Sequence, residues 1–104
     1  MWFCVSTLSV SEHPDGSVAS SNMLWEEHIF LISAEDAVDA KARAELLARR
    51  EQCTYNNADG AKVSWEFKAI STVYQLENAP TDGSEVFSRF LKDSEAQSLL
   101  VPFP

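Results

Sequence analysis

Five alanines and a leucine at helical spacing, Ala34, Ala37, Ala40, Ala44, Leu47 and Ala48, constrain this chain more than any other feature. Residues recurring every three or four positions line one face of a helix. A face of methyl groups lets the helix approach a sheet closely. We therefore expect one long α-helix over 33–52. Ser33 is placed to cap its start, with Asp36 three residues on. Glu35, Asp36 and Asp39 sit at the positive end of the macrodipole, and Arg49 and Arg50 at the negative end. Asp39 with Arg43, and Glu45 with Arg49, are acid-before-base pairs one turn apart. Leu46 points away from the alanine face.

Strand patterns flank this helix. Residues 2–10 are mostly β-branched, aromatic or small, and 24–33 read as a second strand. On that second strand Trp25, Glu27, Ile29 and Leu31 share one face, and Leu24, Glu26, His28, Phe30 and Ile32 the other. Residues 62–77 alternate through Val63, Trp65 and Phe67, then through Ile70, Thr72, Tyr74 and Leu76. The change of parity near Ala69 calls for one bulge, or a bend in a long strand. Residues 85–91 read as a short fourth strand. Each of the three glycines follows an aspartate, at Asp15-Gly16, Asp59-Gly60 and Asp82-Gly83, which marks three turns. The expected architecture is α+β, in the order β-β-α-β-β. A helical crossover makes the third strand parallel to the second. With the first strand between them, the sheet is antiparallel in order 2-1-3-4, and the helix covers one face. Residues 1–91 form a single domain, and 92–104 a tail docked on it.

At 104 residues and 45% apolar content the chain can bury a core without staples. Cys4 and Cys53 are too few and too far apart to suggest a disulfide framework. No apolar run is long enough for a membrane span, and the N-terminus lacks a signal-peptide pattern, so a cytoplasmic location is expected. The net charge is −8, and residues 1–40 hold seven acids with no Lys or Arg. Such a field repels nucleic-acid phosphate and anionic membranes and favours a basic protein partner.

Motifs for chemistry are sparse. The isolated glycines exclude nucleotide-binding loops. Glu26 and His28 share a strand face, but two ligands do not make a zinc site. Cysteine catalysis would need Cys4 or Cys53 brought to His28 by the fold. Glu27 shares a face with Trp25 and Ile29, and if buried it needs a partner, for which Arg89 is the candidate. No cofactor and no catalytic residue is assigned.

Several stretches taken together resemble a known family. They are Trp2 opening the first strand, Trp25-Glu26-Glu27-His28-Ile29 leading to Ala34 and the helix, Trp65-Glu66-Phe67, and Gly83-Ser84-Glu85-Val86-Phe87-Ser88-Arg89. The combination resembles the bacterial family named domain of unknown function 4288, over about residues 2–90. The resemblance implies a small stand-alone bacterial domain. It brings no activity, and suggests Glu27, Trp65, Glu85 and Arg89 as positions of interest. The tail departs from the family pattern.

Two functions are compatible with these residues. The first is a non-enzymatic interaction module that sequesters a basic protein, in the manner of immunity proteins, or forms a homodimer through the uncovered sheet face. The second is a small-ligand-binding domain whose pocket beside the sheet is lined by Trp25, Trp65 and the Glu27/Arg89 pair. Trp25, Glu27, Trp65, Glu85 and Arg89 are the candidate binding residues in either case.

Overall fold

A computed structural model describes residues 1–13 and 23–101. The Asp15-Gly16 turn and the last three residues lie outside them. The elements are β1 (Trp2–Glu12), β2 (Trp25–Ser33), α1 (Ala37–Arg50), β3 (Cys53–Asn56), β4 (Lys62–Gln75) and α2 (Asp93–Leu100). One antiparallel sheet runs in the order β2-β1-β4-β3. The α+β class and the antiparallel four-stranded sheet agree with the sequence. The strand order and the helix length do not.

The expected fourth strand, 85–91, is not a strand. The strand beside β4 is instead β3, which pairs with residues 62–65 and is joined to β4 by a short turn. Asn57 builds that turn: its Oδ1 accepts the Asp59 and Ala61 amides, both at 3.0 Å, and Gly60 supplies φ of +80°. A hairpin of such short range closes at little entropic cost. Residues 84–87 instead turn over the sheet face. Phe87 meets the Tyr74 ring edge-on, with centroids 5.9 Å apart, and the Tyr74 hydroxyl donates to Glu85 Oε1 at 3.0 Å.

The helix spans 14 residues rather than the twenty expected. Ser33 cannot cap it, because Ser33 pairs with Trp2 in the sheet. The ladder continues one residue further, where Ala34 N–H donates to the Met1 carbonyl at 2.8 Å. Asp36 takes the cap, accepting the Asp39 amide at 2.8 Å. Arg43 donates to the Ser33 carbonyl rather than reaching Asp39, whereas Glu45 and Arg49 pair at 2.9 Å as expected. Ala40, Ala44 and Ala48 are buried against the sheet, Ala37 is exposed, and Leu46 points to solvent.

The core lies between α1 and the sheet, built from Phe3, Val5, Ile32, Ala34, Ala40 and Ala44 with Phe30, Leu47, Ile70 and Val73 against them. Two irregularities in β4 place these residues, where one was expected. Thr72 faces Ser6 but Ile70 faces Thr7, so Ser71 is extra; Ala69 faces Leu8 but Phe67 faces Ser9, so Lys68 is extra. Each insertion reverses the side-chain alternation. Phe67, Ile70 and Val73 therefore all reach the helix side, while Thr72 and Tyr74 pass to the other face. The helix α2, in the segment expected to dock, has no buried residue. No helix among the described residues is long and apolar enough to cross a membrane.

Candidate functional site

Strand β2 is an edge of the sheet, and its two faces differ. Facing away from α1, Trp25, Ile29 and Leu31 form a stripe with 59%, 55% and 49% of their surface exposed. Glu27 sits within the stripe and accepts the hydroxyl of Ser6 on the neighbouring strand. Ser6 is buried, so that hydrogen bond fixes the carboxylate against the sheet beside an apolar surface. Thr72, across from Ser6, buries its hydroxyl with no partner among the described residues.

On the helix side, β2 presents Glu26 and His28. His28 Nε2 lies 2.7 Å from Glu26 Oε1, and the imidazole stacks on Phe30 with centroids 6.2 Å apart. These two residues form one wall of a cleft of about 280 Å³ beyond the C-terminus of α1. Ser9 of β1 also lines it, with Glu51, Gln52, Cys53 and Trp65 opposite. Three contacts hold the far wall. Gln52 Oε1 accepts the Phe67 amide at 3.0 Å, the Arg49 guanidinium sits 5.0 Å above the Phe67 ring, and Trp65 Nε1–H donates to the Tyr55 hydroxyl at 3.3 Å. Among the described residues no group of three or more His, Cys, Asp or Glu is arranged to hold a metal. Cys4 is buried and Cys53 exposed, both as free thiols. Burial, and secondarily the Glu27 carboxylate, push the Cys4 thiol above its ordinary value.

The residues singled out in the sequence are thus dispersed. Trp25 lies on the open face of β2, and Trp65 on the helix side of β4, one wall of the cleft. The two do not line a common pocket. Glu27 bonds to Ser6, and among the described residues no ion pair joins it to Arg89. The Arg89 guanidinium lies 6.0 Å over the Phe87 ring, and Glu85 bonds to Tyr74. Glu85 and Arg89 belong to an irregular segment rather than to one strand face. Ser9, Glu51 and Tyr55 went unnoticed because the cleft depends on β3. The alternation Cys53-Thr54-Tyr55, with its β-branched and aromatic residues, is the signal that could have revealed that strand.

A family model described as a domain of unknown function, DUF4288, matches residues 2–88. The chain belongs to the DUF4288 family. No curated protein and no solved structure matches it. The DUF4288 match takes in the whole sheet and α1, so the stripe and the cleft both lie inside it. It stops one residue short of Arg89 and before α2.

Proposed function

We propose that this DUF4288 chain is a protein-interaction module that docks an extended, basic and apolar segment of another protein along the edge strand β2. The carrying observation is the stripe of Trp25, Ile29 and Leu31, half exposed on an edge strand. Among the described residues β2 pairs only with β1, so its outer edge offers backbone groups and the stripe offers apolar area to a further strand. The sign of the partner follows from charge. Glu26 and Glu27 belong to the same strand, and the first 40 residues carry no Lys or Arg. A basic segment is drawn to this surface and an acidic one repelled.

Fluorescence anisotropy with two labelled extended peptides, one alternating Leu and Arg and one alternating Leu and Glu, tests this. The basic peptide binds saturably and more weakly at high salt, the acidic one does not bind, and Trp25→Ser with Ile29→Ser removes the binding. Equal affinity for both peptides overturns the reading. So does a salt-insensitive dimer in light scattering that Ile29→Ser dissolves, because the stripe is then filled by a second copy.

A further inference from the structure

The cleft beyond α1 has a chemistry of its own. Glu51 and Glu26, the latter paired with His28 at 2.7 Å, bring two carboxylates to it, and no Lys or Arg lines it among the described residues. The helix α1 ends there, adding the negative end of its macrodipole. Of the two cations in the last turn, Arg49 and Arg50, neither lines the cleft, and Arg49 is committed to Glu45 and to the Phe67 ring. Trp65 contributes an aromatic wall, its indole N–H already used by Tyr55. Ser9 lines the cleft with 6% of its surface exposed, and its hydroxyl makes no hydrogen bond among the described residues. That hydroxyl faces the open cleft, and its unused acceptor can take a donor from whatever enters.

Carboxylates, an aromatic wall and an unused acceptor together suit a planar cation with several N–H donors. A guanidinium can fork onto a carboxylate, stack on an indole and still donate to a hydroxyl, whereas an ammonium lacks the flat face. A space of about 280 Å³ admits one side chain of that kind. Its position says where the guanidinium comes from. The cleft wall is Glu26 and His28, the helix-side residues of the strand whose other face carries the apolar stripe. A strand added to β2 would send alternate side chains to the two faces.

We infer that the cleft is an arginine socket, filled by one guanidinium of the segment that docks on β2. This inference rests on the edge-strand reading for the source of the arginine but not for the chemistry of the socket. The test separates the two. The indole Nε1–H resonances of the full chain are followed by NMR during titration with N-acetylarginine methylamide, and with its neutral isostere N-acetylcitrulline methylamide. The Trp65 signal shifts saturably with the arginine compound, at least about tenfold more tightly than with citrulline. Glu51→Gln and Glu26→Gln each weaken this several-fold, while Glu45→Gln, on the helix surface, leaves it unchanged. No saturable shift at tens of millimolar, or equal shifts with citrulline, overturns the socket. The Leu/Arg peptide forms the second arm, with affinity at least about tenfold above that of the single residue and perturbed β2 amides. Arginine binding without that gain defeats the edge-strand source alone. Peptide binding indifferent to Glu51→Gln, with Trp65 unmoved, defeats the socket and leaves edge docking intact.

Discussion

Along β2 the two faces of this sheet are built from one alternating pattern but end in opposite states. On the helix side, Phe3, Val5 and Ile32 meet Ala40 and Ala44, and all five are essentially sealed from solvent. On the other side, Trp25, Ile29 and Leu31 of β2 remain half exposed, although Cys4, Ser6 and Val10 beside them on β1 are buried. Side-chain type does not separate the faces, since both are apolar. A single helix can cover only one of them, and alanines bring it close enough to seal that one. The segment 84–87 meets Tyr74 on the open face, and among the described residues none brings the β2 stripe below about half exposure. An apolar stripe left uncovered beside a sealed core is a surface available for binding.

The sharpest way to break this comparison is to truncate one residue on each face. Phe3→Ala removes a fully buried ring, and a loss of about 3–5 kcal/mol is expected from urea unfolding. Leu31→Ala, on the neighbouring strand but half exposed, is expected to cost less than about 1 kcal/mol, because its solvent contact is already large. Comparable losses at both positions would show that the open face is covered in solution.

Overpacking gives a smaller effect. Ala44 has no exposed surface. Ala44→Leu must push α1 off the sheet, so a loss of about 1–3 kcal/mol is expected. Leu46→Ala, on the opposite side of the same helix, should change stability by less than about 0.5 kcal/mol. If Ala44→Leu proves neutral, close approach is not what seals this face.

The cysteines sharpen the contrast through chemistry. A thiol reagent should modify Cys53 at once in the native protein and Cys4 only after unfolding, giving one reactive thiol and then two. Burial and Glu27 hold the Cys4 proton in the folded state, so the folded pKa exceeds the unfolded one. Stability is therefore full below the ordinary thiol value of 9.0 and declines as pH rises above it. Cys4→Ala should flatten that alkaline decline, measured as midpoint against pH. An unchanged slope in Cys4→Ala would show that other groups cause it.

Much of this fold was legible because it is local. The alanine spacing reveals α1 and its buried face, and the acid–base order reveals the Glu45–Arg49 pair. The helical crossover correctly makes β4 parallel to β2 with β1 between them. What failed depends on competition between distant segments. Ser33 looks like a cap until Trp2 claims it for the ladder. Residues 85–91 look like a strand until Glu85 and Phe87 engage the Tyr74 side chain. The site failed for the same reason. Trp25 and Trp65 were placed together, but two insertions in β4 and the β3 hairpin decide which face each residue sees. Parity alone gave one bulge near Ala69, since a second insertion at Ser71 restores the original alternation.

That second insertion yields the smallest expected effect and the most specific test of the open face. By reversing parity at Ser71 it sends Thr72 away from the helix, next to Ser6, with its hydroxyl buried and unpartnered among the described residues. A buried hydroxyl without a partner costs free energy that a methyl of the same size does not. Thr72→Val keeps the shape and removes the oxygen, so stability should stay level or rise by up to about 1 kcal/mol. Ser6→Ala, beside it, should instead fall by about 1 kcal/mol, because Glu27 loses its hydroxyl donor. If Thr72→Val destabilises as much as Ser6→Ala, the Thr72 hydroxyl has a partner such as bound water, and this part of the open face is wetter and more ordered than its neighbour, the β2 stripe.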